Sequence, residues 1–140
     1  VHSTNTRQTD SEVIEKRTAV LVRKYCIREG SGGRGRWRGG NGITREMEAR
    51  TNLKFSILCD RRVYRPYGMA GGHAGQKGEN HVFKFNEEGE LEMMNLGGKA
   101  VGQLRPGEYV QINTPGGGGY GRPEDDAVIE GYDDFHRAFV

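Results

Sequence analysis

The stretch Leu53-Lys54-Phe55-Ser56-Ile57-Leu58-Cys59 points to the fold class, because its side chains alternate between apolar and polar along most of its length. Successive side chains of a β-strand point to opposite faces, so the alternation predicts a half-buried strand with one mostly solvated face. Further segments are rich in β-forming residues or alternate in the same way, and they predict more short strands. These segments are residues 18–27, 43–50, 80–85, 91–96, 99–104 and 108–113.

Glycine accounts for 23 of the 140 residues, more than twice its usual share of about 7%. The glycines are interspersed with β-branched and aromatic runs, so they predict tight turns between short strands and not a structureless chain. Thr9-Asp10-Ser11-Glu12 has the spacing of a capping box and predicts one short helix. We therefore expect a mainly β fold, a glycine-rich sandwich or barrel-like domain of short strands, with one short N-terminal helix and a loosely structured C-terminal tail.

Size and charge restrict the class of protein further. A chain of 140 residues with 34% hydrophobic residues fits one compact domain with a small core. The net charge of +2 does not predict a nucleic-acid partner, and no apolar run approaches the length of a membrane span. Val1 stands where an initiator methionine would be and no apolar signal core follows, so we expect the middle of a longer polypeptide.

Glycine motifs, histidines and cysteines give no cofactor site. Residues 30–35 and 116–121 match G-x-G-x-x-G, but no helical pattern follows either match, as a dinucleotide site requires. The chain has no phosphate-binding G-x-x-x-x-G-K-[ST] motif, and its four histidines lack metal-ligand spacing, so we expect neither bound ATP nor a metal on it. Cys26 and Cys59 lie in apolar stretches and predict buried free thiols, with a disulfide as the alternative.

The most site-like stretch is Asp60-Arg61-Arg62, which follows the alternating strand and opens a long loop without periodicity. Guanidinium groups at a strand end can bind a carboxylate or phosphate through two parallel hydrogen bonds. The adjoining Tyr64 and Tyr67 would supply aromatic walls. The alternative is that these charges are simply solvated.

A second basic stretch, residues 32–40, alternates Arg34, Arg36 and Arg38 with glycine and Trp37. Arginine and an aromatic ring can bind single-stranded RNA by charge and stacking. We prefer the other interpretation, a strand with an arginine face and a glycine and tryptophan face, because the stretch is brief and lies between strands.

Several blocks of the sequence resemble, in order, the hydantoinase B/5-oxoprolinase family. Residues 2–7 with 9–12 resemble its "TNTR…E" signature, and residues 31–42 resemble its "SGG-G-(R/K)-(aromatic)-RGG-(D/N)-G" block. Further similar blocks are residues 60–62, 66–72, 96–99, 106–107 and 114–121. The resemblance divides the chain into a C-terminal segment of a hydantoinase B/oxoprolinase-like domain at residues 1–121 and a divergent tail at residues 122–140. The Arg65-Pro66-Tyr67-Gly68 block favours the 5-oxoprolinase branch.

The resemblance implies a piece of a large cytoplasmic enzyme that uses ATP to open cyclic amides such as hydantoins or 5-oxoproline. For 5-oxoproline the product is glutamate, and the full enzyme uses magnesium and potassium. The resemblance also implies that ATP and the ions are bound elsewhere, with ATP on the hydantoinase A-like module. The upstream B-like modules are the other missing part. We expect those modules as partners, a homo-oligomer of the full enzyme, and no activity from the isolated chain.

Within this family setting, the candidate polar contacts are Asn5, Arg7, Asp60, Arg61 and Arg62. A candidate loop for close backbone approach is formed by Gly116, Gly117, Gly118 and Gly119. Two other hypotheses are a standalone binding protein that kept the fold and an arginine/glycine-type RNA-binding module.

Overall fold

The computed structural model describes residues 8–123 of the chain. Within this range it contains one helix and seven strands: α1 (Ser11–Arg17), β1 (Val20–Arg28), β2 (Gly42–Ala49), β3 (Leu53–Leu58), β4 (Glu79–Phe85), β5 (Leu91–Asn95), β6 (Lys99–Leu104) and β7 (Tyr109–Asn113). The mainly β prediction is therefore confirmed, and the predicted strands lie within a few residues of the observed ones. The tail beyond Pro123 lies outside the described residues.

Two antiparallel sheets pack against each other. The larger sheet has the order β1-β2-β7-β4-β5, and the smaller sheet pairs β3 with β6. The last described strand, β7, lies in the centre of the large sheet, where it pairs with β2 on one side and β4 on the other. The centre of the large sheet is therefore formed between β7 and strands that are distant from it in sequence.

The core lies between the two sheets. Ala49, Val82 and Val110 from the large sheet meet Ile57 and Leu104 from the small one, and all five are buried. In β3, Phe55 and Ile57 face this core, while Leu58 is 78% exposed on the outer side. The half-buried strand predicted from the alternation is confirmed. A cavity of about 200 Å³ remains beside the core and is lined mainly by aliphatic and aromatic side chains.

Helix α1 begins one residue later than the capping-box spacing suggests. Asp10, and not Thr9, is the N-cap, and its Oδ1 accepts a hydrogen bond of 2.8 Å from the backbone N–H of Glu12. Glu15 then ties the helix to the sheet, because its Oε1 accepts a 3.0 Å hydrogen bond from the backbone N–H of Val22. No helix among residues 8–123 is long and apolar enough to cross a membrane.

The glycine-rich segments 31–40, 66–76 and 114–121 pack together at one end of the large sheet. We call them the glycine assembly. Backbone hydrogen bonds join them directly: Gly33 N–H donates to Gly117 O at 2.8 Å, and His73 N–H donates to Arg34 O at 2.7 Å. The strand predicted for residues 32–40 does not form. Only Trp37 makes an isolated bridge there. Trp37 and the three arginines are exposed, while Gly33 and Gly35 are buried.

Candidate functional site

The loop after β3 holds the predicted Asp60-Arg61-Arg62 site, but its arginines have different surroundings. Arg62 folds back into the protein, where its Nη1 donates to Asp60 O at 2.7 Å and its Nη2 donates to Asn80 Oδ1 at 3.1 Å. Asn80 is completely buried and donates in turn to Gly97 O at 2.8 Å. One donor of the Arg62 guanidinium therefore closes the loop onto Asp60, and a second attaches the loop to β4.

Arg61 points to solvent instead. Its backbone has a φ of 58°, a left-handed conformation that is uncommon for a residue with a side chain. The Arg61 guanidinium carbon lies 5.9 Å from the centroid of the Tyr67 ring, and Tyr67 is 68% exposed. A cation held near the face of an aromatic ring is partly oriented and still has its hydrogen-bond donors available. Arg61 and Tyr67 form the part of the predicted site that an anion can reach.

The glycine run 116–119 is part of the glycine assembly, with Gly116 and Gly119 buried, Gly118 half-buried and Gly117 exposed. A Cβ built on Gly116 would overlap Ser31 O, one on Gly118 would overlap Tyr67 O, and one on Gly119 would overlap Arg34 O. A Cβ on Gly117 would lie 3.3 Å from Gly40 N. Gly116, Gly118 and Gly119 permit close approach between backbone segments of the same chain, and each faces a backbone carbonyl group.

The remaining candidates from the sequence do not join this loop. Asn5 and Arg7 lie outside the described residues. Cys26 and Cys59 are both free, and Cys26 is exposed, so its predicted burial is wrong. Among residues 8–123 no three His, Cys, Asp or Glu side chains come together in a way that could hold a metal ion.

A polar ladder on the other face of the large sheet was missed by the sequence reasoning. Thr44 Oγ1 donates to Asn113 Oδ1 at 2.7 Å, Asn113 Nδ2 donates to Gln111 Oε1 at 3.1 Å, and Gln111 Nε2 donates to Glu46 Oε1 at 2.8 Å. His81 Nδ1 lies 3.3 Å from the same Gln111 oxygen. The sequence did hold a signal for the ladder, because polar residues are spaced two apart in two strands. These are Thr44 and Glu46 in β2, and Gln111 and Asn113 in β7.

The ladder depends on strand register. Thr44 is paired with Asn113, while Glu46 and His81 are both paired with Gln111, so these side chains share the face opposite the core. Because the amides and the hydroxyl bond to each other, the ladder acts chemically as a cross-strand brace, with Glu46 as its terminal acceptor. Thr44 and Asn113 are both buried, so their mutual bond replaces bonds to water.

A buried carboxylate closes the turn between β6 and β7. Glu108 is 1% exposed and accepts hydrogen bonds from Arg105 N–H at 2.7 Å, Arg105 Nε at 2.9 Å and Phe85 N–H at 3.2 Å. Burial acts to raise the pKa of Glu108, but these hydrogen bonds and the Arg105 charge outweigh it and hold the pKa below its ordinary value. Glu108 therefore stays ionised and has a structural role in fixing the turn.

Comparison with known proteins gives several matches. The chain is 71% identical over 133 residues to the 5-oxoprolinase PfmaA of Pestalotiopsis fici, a match that covers 94% of this chain and 10% of that protein. It is 46% identical over 114 residues to the 5-oxoprolinase of Saccharomyces cerevisiae, covering 81% of this chain and 9% of that protein. The chain thus spans about a tenth of the length of these curated relatives.

A solved structure shares the fold. The ATP-dependent caprolactamase from Pseudomonas jessenii superposes with a TM-score of 0.68 at 24% identity, over 94% of this chain and 23% of that one. The family model described as Hydantoinase B/oxoprolinase matches residues 1–123, which include the glycine assembly and all seven strands. The sequence blocks, the fold and the relatives agree, and the chain belongs to the hydantoinase B/oxoprolinase family.

Proposed function

We propose that this chain is a segment of an ATP-dependent 5-oxoprolinase, which opens the ring of 5-oxo-L-proline to give L-glutamate. The observation that carries the proposal is the 71% identity to the 5-oxoprolinase PfmaA across 94% of the chain. The alignment runs through both the strands and the glycine assembly, so it extends beyond a single motif. Hydantoin hydrolysis is the second candidate, supported by 34% identity over 132 residues to a protein of a Pseudomonas species that is described as part of a D-/L-hydantoinase.

The chemistry explains why such an enzyme would use ATP. The ring amide of 5-oxoproline is stabilised by resonance, and its carbonyl oxygen is a poor leaving group. Transfer of a phosphoryl group from ATP to that oxygen makes it a good one. In the whole reaction two water molecules are consumed, one in opening the ring and one in releasing phosphate, and ATP becomes ADP.

In this proposal the segment shapes one wall of the reaction cleft, while ATP, magnesium and potassium are bound by other modules of a cytoplasmic homo-oligomer. Arg61 contacts the carboxylate of the substrate or the transferred phosphate, with Tyr67 beside it. Asp60 is a further polar contact. Arg62 is a positioning residue, since its hydrogen bonds to Asp60 O and Asn80 hold the loop that presents Arg61. Asn5 and Arg7 remain candidates for the same cleft.

The test uses the longest polypeptide that contains this chain. We expect release of glutamate and ADP in equal amounts when 5-oxo-L-proline and ATP are both supplied, and no glutamate when either is omitted. Hydantoin and caprolactam serve as competing substrates. ADP release that is stimulated by hydantoin and not by 5-oxo-L-proline would move the assignment to the hydantoinase branch.

The role of Arg61 is tested in the same polypeptide. Replacing Arg61 with Gln removes a charge-assisted hydrogen bond, so kcat/KM for 5-oxo-L-proline should fall by about tenfold to a hundredfold. Arg50→Gln is the matched control, because Arg50 is also exposed and follows the end of β2. Equal activity in the Arg61 and Arg50 variants would remove Arg61 from the site.

A further inference from the structure

The glycine assembly carries an exposed row of large apolar side chains. Trp37 pairs with Tyr120 in an antiparallel bridge, and Met69 pairs with Tyr120 in a parallel one. Side chains of residues paired in this way project from the same face. Trp37 is 45% exposed, Tyr120 55% and Met69 59%. We call these three residues, two aromatic side chains and a methionine, the aromatic row.

The backbone beneath the row is fixed. Trp37 N–H donates to Tyr120 O at 2.9 Å, and Tyr120 N–H donates to Trp37 O at 2.8 Å. Met69 N–H donates to Gly119 O at 2.9 Å, and Gly121 N–H donates to Met69 O at 2.9 Å. A surface held by this many main-chain bonds loses little conformational freedom when something binds to it.

The three loop segments that carry the row are rich in basic side chains. Residues 31–41, 60–78 and 114–123 hold eight of the chain's 21 basic side chains and one of its 19 acidic ones. Arg34, Arg36 and Arg38, which alternate along the Trp37 segment, are all exposed. Within residues 8–123 none of these three guanidinium groups lies within salt-bridge distance of a carboxylate. A surface with these properties is complementary to an apolar patch bordered by carboxylates.

We propose that the aromatic row, with Arg34 and Arg38, is the docking surface for another part of the same longer polypeptide, one that presents apolar side chains edged by Asp and Glu. The matched curated relatives are about ten times longer than this chain, so such a polypeptide offers ample surface. Covalent linkage supplies a high effective concentration, and a small patch of three large side chains is then enough for docking. The inference rests on the proposed function only in assuming that longer polypeptide.

Docking on this surface would also explain the position of Arg61. Catalytic clefts lie preferentially between domains. Residues 60–70 belong to the same loop region as Met69, so a module seated on the aromatic row would border the loop that carries Arg61 and Tyr67. The docking surface would then place the wall formed by this segment against the module that completes the cleft.

Methionine oxidation in the full-length polypeptide tests the docking surface without reference to activity. Met69 and Met93 are both 59% exposed within residues 8–123, so Met93 on β5 is a matched internal control. Each oxidation rate with hydrogen peroxide is compared with the rate for the same residue in the urea-unfolded protein. Because oxidation follows exposure, we expect Met69 to be protected about tenfold more than Met93. Equal protection of the two residues would overturn the proposal.

Charge reversal adds a second, independent readout. In the full-length Arg34→Glu/Arg38→Glu variant the protection of Met69 should fall to that of Met93, while Lys54→Glu/Lys99→Glu, the same change in charge on the outer face of β3 and β6, should leave it intact. No change in the arginine variant would count against the proposal.

Two alternative binding partners for this surface are distinguished by further measurements. Docking within one polypeptide predicts that Met69 protection is independent of protein concentration, so loss of protection on hundredfold dilution would identify a second copy and overturn the proposal. Tight binding of single-stranded RNA that Trp37→Ala abolishes would identify a nucleic-acid surface and would overturn it as well. Because the measurement is protection and not turnover, it remains informative if the enzyme proves to act on another cyclic amide.

Discussion

Arg62 and Asn80 are joined by a 3.1 Å hydrogen bond from the guanidinium Nη2 to the amide Oδ1, although they are 18 residues apart. Asn80 has no exposed surface, and its amide nitrogen bonds to Gly97 O. The Asn80 side chain on β4 therefore connects this strand with the loop after β3 and with the turn before β6. The loop is therefore attached to the sheet through a polar contact to a buried side chain.

Removing the arginine should expose this dependence. Arg62→Ala leaves the buried Asn80 oxygen without its donor, and we expect the free energy of unfolding to fall by about 1–3 kcal/mol. Arg65→Ala is the control, because Arg65 is exposed in the same loop. Urea denaturation followed by the fluorescence of Trp37, the single tryptophan, measures both. Equal stabilities for the two variants would show that the bond contributes nothing.

The glycine assembly predicts a sharp dependence on position. Gly118→Ala places a methyl group on Tyr67 O, so the backbone segments must separate, and we expect a loss of about 3 kcal/mol. Gly40→Ala is the matched control, since a Cβ there meets no atom within 4 Å. Thermal unfolding of the two variants provides the comparison. A Gly118→Ala protein as stable as Gly40→Ala would contradict the packing described for this segment.

Strand positions could be predicted from the sequence because apolar and polar side chains alternate along a half-buried strand. In Leu53–Leu58 the apolar residues at every second position reflect burial of one face, and that requirement is local. The central place of β7 could not be predicted, because Tyr109–Asn113 is the last strand among residues 8–123 and its partners β2 and β4 are selected by tertiary packing.

The glycine assembly and the polar ladder could not be predicted from the sequence, for different reasons. Contacts such as the hydrogen bond from Gly33 N–H to Gly117 O involve only backbone atoms. The side-chain pattern of the sequence therefore does not indicate which glycine runs contact each other. Thr44 and Asn113 are ordinary polar strand residues until the register pairs them. The Asp60-Arg61-Arg62 stretch stands out in the sequence by its position at a strand end, but which of its two arginines reaches Asn80 is decided by tertiary structure.

The polar ladder should contribute to stability through its buried end. Asn113→Ala removes the acceptor of the buried Thr44 hydroxyl and the donor to Gln111, so we expect a loss of about 1–3 kcal/mol in the free energy of unfolding. The double variant Asn113→Ala/Thr44→Val no longer carries the orphaned hydroxyl and should recover part of that loss. If the double variant is less stable than the single one by the full cost of Thr44→Val alone, the two residues are not coupled.

The Glu108 turn should give the protein a defined acid sensitivity. The folded state lowers the pKa of Glu108 from 4.5, because its hydrogen bonds and the Arg105 charge favour the ionised form over the effect of burial. A carboxyl group with a lowered folded-state pKa stabilises the fold fully above its ordinary pKa. That contribution is lost as the pH falls from about 4.5 through the lower folded-state value.

Glu108→Gln removes this titration and weakens the bonds to Arg105 and Phe85, so at pH 7 we expect it to cost about 2 kcal/mol. The difference between wild type and variant should shrink as the pH is lowered below about 4.5, because the wild-type carboxylate is then protonated too. Glu88→Gln, an exposed glutamate in the turn between β4 and β5, is the control and should leave the pH profile unchanged. Urea denaturation between pH 7 and pH 3 measures all three proteins. A wild-type advantage over Glu108→Gln that stays constant across that range would show that the ionised carboxylate is not what stabilises the turn.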